Sequence, residues 1–245
     1  MQKRTKLIKN GVAAAMLFNV VLSTPSLATT KSVETKVDAE TALTRIKSAN
    51  IDNLSVKKNI VDSKAELMAK LAKIEFFSAN FSQKIFDESG NELQQGSGQL
   101  SVSKPNLVNW ETKLPDESLI VSDGSNLWFY DPIVEQVSVY SLENAIANTP
   151  ILLITNNDPK LWQDYNVSQS ADNRYLITAI NENSRVKSLE LAFETIDDVE
   201  KLVAFNILDA TGQLSVISLS EHNHKPNAEL FSFSVPEGVF IDDQR

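Results

Sequence analysis

The sequence predicts a mainly β protein built on one antiparallel sheet of roughly eleven or twelve short strands, with two or three short helices. Three observations carry this prediction. From Phe77 onward, bulky apolar residues recur at every second position. Turn sequences such as DESGN, SDGSN and YDP punctuate the runs. The connections are too short to hold crossover helices, so successive strands must pair antiparallel. A sheet of that many strands has to curl or split. No repeat period marks a propeller or solenoid.

The elements follow in order. Lys3, Arg4, Lys6 and Lys9 precede an apolar run from Gly11 to Leu22, and Ser26 and Ala28 form a small-x-small site, so residues 1–28 read as a cleaved signal peptide. Residues 29–62 are polar, with a weak helical pattern around Leu43 and Ile46, and suit a tether, a loosely docked helix or disorder. At Ser63 the sequence SKAE offers a capping box, with Glu66 as its reciprocal partner, so the compact domain is expected to span 63–245. Leu67, Leu71 and Ile74 then make an apolar helical stripe beside Met68.

FFSANFSQKI alternates Phe77, Ala79, Phe81 and Ile85 onto one face. QGSGQLSVS contributes Leu100 and Val102, and LVNWE contributes Val108 and Trp110. In VSDGSNLWFYDP, Leu127 and Phe129 point to one side of a strand and Trp128 and Tyr130 to the other. SLENAIANTP reads as a short helix ended before Pro150, and ILLITNNDPKLW follows as an apolar patch on irregular chain, a plug or a lid. Strands resume with YNVSQS, RYLITAI, VKSLELAFE, KLVAFNILDATG, QLSVISLSE and LFSFSVP.

Composition excludes several classes. Loss of residues 1–28 removes four positive charges and takes the net charge from −9 to −13, which disfavours nucleic acid and anionic bilayers as partners. With no cysteine, neither a disulfide nor a lipid-bearing thiol can form. His222 and His224 share a strand face but lack further ligands, so no metal is predicted and an exposed turn is expected. GSGQL and DGSN are not phosphate loops, and Ser97 and Ser122 lack a nucleophile elbow. The acidic pairs Asp116/Glu117 and Asp242/Asp243 adjoin along the chain instead of converging across a cleft. These readings predict no enzyme and no cofactor, and leave apolar surface as the chemistry on offer.

Four stretches resemble the periplasmic outer-membrane lipoprotein carrier family, LolA: FFSANFSQKIFDESGNELQQGSGQLSVSKPNLVNW, PDESLIVSDGSNLWFYDPIVEQVSVY, NTPILLI and VPEGVFIDDQR. The resemblance implies an unclosed, strongly curled antiparallel β-barrel of about eleven strands, with short α-helices forming a lid over an apolar cavity. It implies a periplasmic chaperone that accepts acylated lipoproteins from an inner-membrane ATP-binding cassette exporter, shields their acyl chains and delivers them to an outer-membrane lipoprotein receptor. Thr29 stands where such a receptor would need its lipidated cysteine, so the carrier is the expected member and stable membrane insertion is not.

On this reading Phe77, Phe81, Leu100, Val102, Val108, Trp110, Leu127 and Phe129 form the lipid cavity. Leu67, Leu71, Ile151, Leu152 and Leu153 belong to the lid. The resemblance further implies a latch at Lys104, where the family's RP-x-x-F-x-W element reads KPNLVNW. Lysine lacks the planar fork of the arginine it replaces. An exposed strand-end lysine is the competing reading. A greasy pocket does not name its tenant, so a binding protein for a fatty acid or glycolipid is the alternative function.

Overall fold

The computed structural model describes residues 41–46, 56–146, 150–156, 158–223 and 225–245. The expected signal peptide, His224 and much of the polar segment 29–62 lie outside the described residues. Helix α1 covers residues 41–46 and helix α2 spans Val56–Lys73. Six strands follow: β1 (Phe76–Phe86), β2 (Glu92–Ser103), β3 (Leu107–Leu114), β4 (Ser118–Asp123), β5 (Asn126–Asp131) and β6 (Gln136–Ser141). Helix α3 (Leu142–Ile146) and a 3-10 segment (Pro150–Thr155) interrupt the strands. The second run comprises β7 (Tyr165–Ala171), β8 (Arg174–Ala179), β9 (Val186–Ile196), β10 (Val199–Asp209) and β11 (Leu214–Asn223). A 3-10 turn (Ala228–Phe231) and β12 (Phe240–Asp243) end the chain.

The described strands form one sheet in the order β12-β6-β5-β4-β3-β2-β1-β11-β10-β9-β8-β7. Two antiparallel meanders, β1–β6 and β7–β11, are thus sewn together by the β1/β11 ladder. The expected unclosed, strongly curled antiparallel barrel is corrected in its curling and its all-antiparallel pairing, not in being unclosed. The sheet is open, its end strands β12 and β7 are not paired to each other, and β12 runs parallel to β6.

Both edges are occupied or blunted by other means. Helix α2 lies against β7, where Lys64 Nζ donates to the carbonyls of Trp162 and Tyr165. At the other edge β12 is four residues long and carries Asp242 and Asp243, the latter paired with Arg245 at 2.6 Å. Covered, short and charged edges resist further pairing. Alternation in the sequence reports which face is apolar, but it holds no information about whether two distant edges meet.

The inner face carries most of the core. Residues alternate inward along every long strand: Phe77, Ala79 and Phe81 on β1, Leu100 and Val102 on β2, Leu189, Leu191 and Phe193 on β9, Phe205 and Ile207 on β10. Leu127 and Phe129 are buried in this cluster, whereas Trp128 and Tyr130 face the other side and pack on Phe233, with ring centroids 5.5 and 6.0 Å apart. The run LFSFSVP is therefore not a strand. Asn227 caps a 3-10 turn, and Asn109 holds the Leu230 carbonyl at 2.7 Å, which lays this tail over the outer face of β3–β5.

Two further local readings change. Ser63 does not start α2; it is buried inside a helix already running from Val56. Lys57 and Lys58 are good helix formers and nothing between them and Ser63 breaks the turn, so the SKAE box is redundant. His222 lies on β11, half-buried, with Nε2 2.8 Å from the Leu202 carbonyl, and not in an exposed turn.

Gly98 is needed for the sheet to close-pack. A Cβ there would stand 1.9 Å from the Glu111 carbonyl oxygen and 2.8 Å from the Phe81 ring, which stacks in turn on Trp110 at 5.2 Å. Gly98→Ala is expected to cost about 1–3 kcal/mol through displaced backbone. Thermal denaturation checks this: a melting temperature unchanged from wild type would contradict the packing described.

Candidate functional site

The site is built from an apolar wall and a two-piece cover. The wall is the inner sheet face, where all eight expected cavity residues, Phe77, Phe81, Leu100, Val102, Val108, Trp110, Leu127 and Phe129, fall in a single contiguous cluster. Leu67 and Leu71 of α2 enter that cluster from one side, and Leu152 and Leu153 of the 3-10 segment enter from another. The side chain of Ile151 is outside the described residues. Ile154, at 3 % exposure, and Thr155 continue the buried run of that segment.

Both cover pieces meet the wall at the turn between β2 and β3. Lys104 donates from Nζ to the carbonyl of Leu71 at the C-terminal end of α2, and its backbone N–H donates to Glu75 at 2.8 Å. Helix ends leave carbonyls without intrahelical donors, and a cation at that end also meets the negative end of the helix dipole. Two residues on, the Asn106 N–H donates to the Thr155 carbonyl at 3.1 Å, and Asn156 Nδ2 donates to Asn106 Oδ1 at 2.8 Å. Ser122 Oγ steadies the turn through the Asn106 carbonyl at 2.5 Å. One turn therefore holds α2 with Lys104 and the 3-10 segment with Asn106.

Burial pushes the Lys104 ammonium down to about 8 from its ordinary 10.5. A charge held in that way costs desolvation, which hydrogen bonding such as that to the Leu71 carbonyl offsets only in part. Helix α2 is tied along its other flank to the second meander. Lys64 reaches Trp162 and Tyr165, Tyr175 Oη donates to Glu66, and Lys70 pairs with Glu200. Burial and the neighbouring Glu66 carboxylate push the Tyr175 phenol up. Desolvation lowers Lys64 as well, against the attraction of Asp164.

Two grooves open beside the C-terminal end of α2. One, of about 410 Å³, is lined by Ile74, Phe76, Phe77, Val199, Leu202 and His222 among others. The other, of about 520 Å³, runs past Lys104, Pro105, Thr155 and Asn156. Among the described residues, no group of three or more His, Asp or Glu side chains is placed to hold a metal ion, and no helix is long and apolar enough to cross a membrane.

Sequence reasoning stopped short on the second meander. Tyr175, Ile177, Leu189, Leu191, Phe193 and Phe205 share the wall's cluster, and the alternation in RYLITAI, VKSLELAFE and KLVAFNILD was the signal that marks them. Asn106, Lys64 and Lys70 had no signal of their own, and Glu66 signalled only a helix cap, since a polar residue's partner about 50 to 130 positions away is invisible in a local pattern.

The lowered Lys104 ammonium has a measurable sign. Between about pH 8 and 10.5 the unfolded chain binds the Lys104 proton and the folded chain does not, so stability rises with pH across that window. Relative to Lys104→Met, wild type should gain stability in denaturant melts as pH climbs from 8 to 10. A constant difference between the two proteins would contradict the burial of this charge.

A family profile described as "Outer membrane lipoprotein carrier protein LolA" matches residues 72–234. The outer-membrane lipoprotein carrier protein of Aeromonas salmonicida (strain A449) is 42 % identical over 186 residues, covering 75 % of this chain and 90 % of that relative. The protein of the same name from Yersinia enterocolitica is 40 % identical over 187 residues, covering 76 % and 90 %. That from Actinobacillus succinogenes is 39 % identical over 187 residues, covering 76 % and 88 %. With the family profile spanning the wall, the turn and the 3-10 segment, the chain belongs to the LolA family of outer-membrane lipoprotein carriers, and is a periplasmic lipoprotein carrier and not an enzyme.

Proposed function

We propose that this carrier receives acylated lipoproteins from an inner-membrane ATP-binding cassette exporter, shields their acyl chains between the sheet's inner face and its cover, and passes them to an outer-membrane lipoprotein receptor. The observation that carries this reading is the joint burial of the wall and two separate cover pieces in one apolar cluster, bridged by polar bonds at one turn. Such a cover opens without unfolding the sheet.

Energetics favour exchange over permanent storage. An acyl chain of about 16 carbons carries a burial term of order 10 kcal/mol at about 0.8 kcal/mol per methylene. Leu67, Leu71, Leu152 and Leu153 are each at most 2 % exposed. At about 1.5–3 kcal/mol each, they bury about 6–12 kcal/mol when the cover is shut. Cargo and cover thus compete for one wall on nearly equal terms, and a modest difference in partner affinity sets the direction of transfer. In this reading Lys104 is the latch, and the strongly negative mature chain docks on basic partner surfaces, with steering that weakens at high salt.

Release of lipoproteins from spheroplasts into buffer tests the assignment. Wild type should release them, and Phe81→Glu, which places a carboxylate in the wall, should cut release by about tenfold while circular dichroism shows the sheet intact. Full release by folded Phe81→Glu would refute the wall assignment. Lys104→Ala should load more readily and hold cargo less long than Lys104→Arg; identical behaviour of both and of wild type would remove Lys104 from the mechanism. Cargo extracted from the purified periplasmic protein and found to be free fatty acid or glycolipid alone would overturn the lipoprotein reading.

A further inference from the structure

The outer face of the sheet, behind the cover, carries a second apolar cluster. Ala42, Leu43 and Ile46 of α1 pack there on Phe86 of β1, Leu176 of β8 and Leu214 of β11, with Leu208 and Val216 at the margin. The patch is keyed by a buried carboxylate. Glu190 of β9 is 1 % exposed, accepts from Ser170 Oγ at 2.7 Å and Asn206 Nδ2 at 2.8 Å, and faces Arg174 and Arg45 of α1, each 3.7 Å away. An apolar seat with a buried carboxylate beside it suits a short helix bearing an arginine between its apolar residues. Leu43, Arg45 and Ile46 supply that arrangement.

This seat lies back to back with the cover. Adjacent residues of β8 are gripped from opposite sides: Leu176 by α1 on the outer face, and Tyr175 by Glu66 of α2 on the inner face. The C-terminal end of α2 has little freedom, since only Ile74 and Glu75 separate it from β1. Its N-terminal end has no such covalent tie to the sheet, and α1 precedes it by the nine residues 47–55. Fully extended, nine residues reach about 30 Å at most, so a docked α1 limits how far that end can travel.

We propose that α1 is an external anchor that pins the N-terminal end of the cover helix to the back of the sheet. Pinned at both ends, α2 stays with the second meander, and the cover opens at the seam bridged by Lys104 and Asn106. The family profile matches residues 72–234, so α1 lies ahead of the matched region, as does most of α2. The inference rests on the reading of α2 as a cover, but the anchor itself is measured without lipid.

Hydrogen–deuterium exchange of the full-length mature protein, read by mass spectrometry, tests it. In the Leu43→Asp/Ile46→Asp variant, amides in the first half of α2 should exchange at least about tenfold faster, while β1, β10 and β11 keep wild-type protection. In a second variant, about ten Gly/Ser residues inserted into the 47–55 connection should produce a similar gain in α2 exchange with α1 still protected. Unchanged α2 exchange in either variant would overturn the anchor, as would an unprotected α1 in the wild-type protein. Loss of lipoprotein release with these exchange results intact would count against carriage and leave the anchor standing.

Discussion

The molecule depends on one constraint: an open sheet with a continuous apolar face must keep that face out of water. A closed barrel would bury the face permanently by its own backbone ladder. Here the two end strands do not pair, and the face is covered instead by a helix and a 3-10 segment that belong to different parts of the chain. Each cover piece contributes its own leucines, so in the proposed mechanism the shut state competes for the wall with acyl chains, and shielding and release follow from the same contact area.

Polar bonds decide where the cover is firm and where it yields. Along its flank on the second meander, α2 has Lys64, Glu66 and Lys70 engaged with Trp162, Tyr175 and Glu200. At the opposite seam it meets the β2–β3 turn through a lysine whose charge is disfavoured by burial, and the 3-10 segment meets the same turn through neutral amide bonds. In the proposed latch role a lysine makes a softer catch than a guanidinium, because its ammonium dehydrates at greater cost and lacks a planar fork. The outer face adds an opposing restraint through α1, so the firm flank is held from both sides of β8.

Much of the wall was legible because alternation is a local property. Phe77, Phe81, Leu100, Val102, Trp110, Leu127 and Phe129 point inward as the period of two requires, and Trp128 and Tyr130 point outward onto Phe233. Properties set by distant partners were not legible. Strand number called for a sheet that curls or splits, and the strongly curled barrel was what the family resemblance implied; the sheet is open, with its edges settled by Lys64 on one side and by a short acidic strand on the other. The capping signal at Ser63 was chemically sound but lay within a helix that had already begun. In the polar segment Leu43 and Ile46 showed a faint helical pattern, but their seat on Leu176 and Leu214 is assembled from strands more than a hundred residues away.

Photocrosslinking places the cargo most directly. A photoreactive phenylalanine derivative at Leu153 in the cover or at Leu100 in the wall, loaded with a lipoprotein radiolabelled in its acyl chains, should become labelled on irradiation. The same probe at Trp128, on the outer face, should not. Labelling at Trp128 with none at Leu100 or Leu153 would contradict the account, since the acyl chains would then travel outside the covered face.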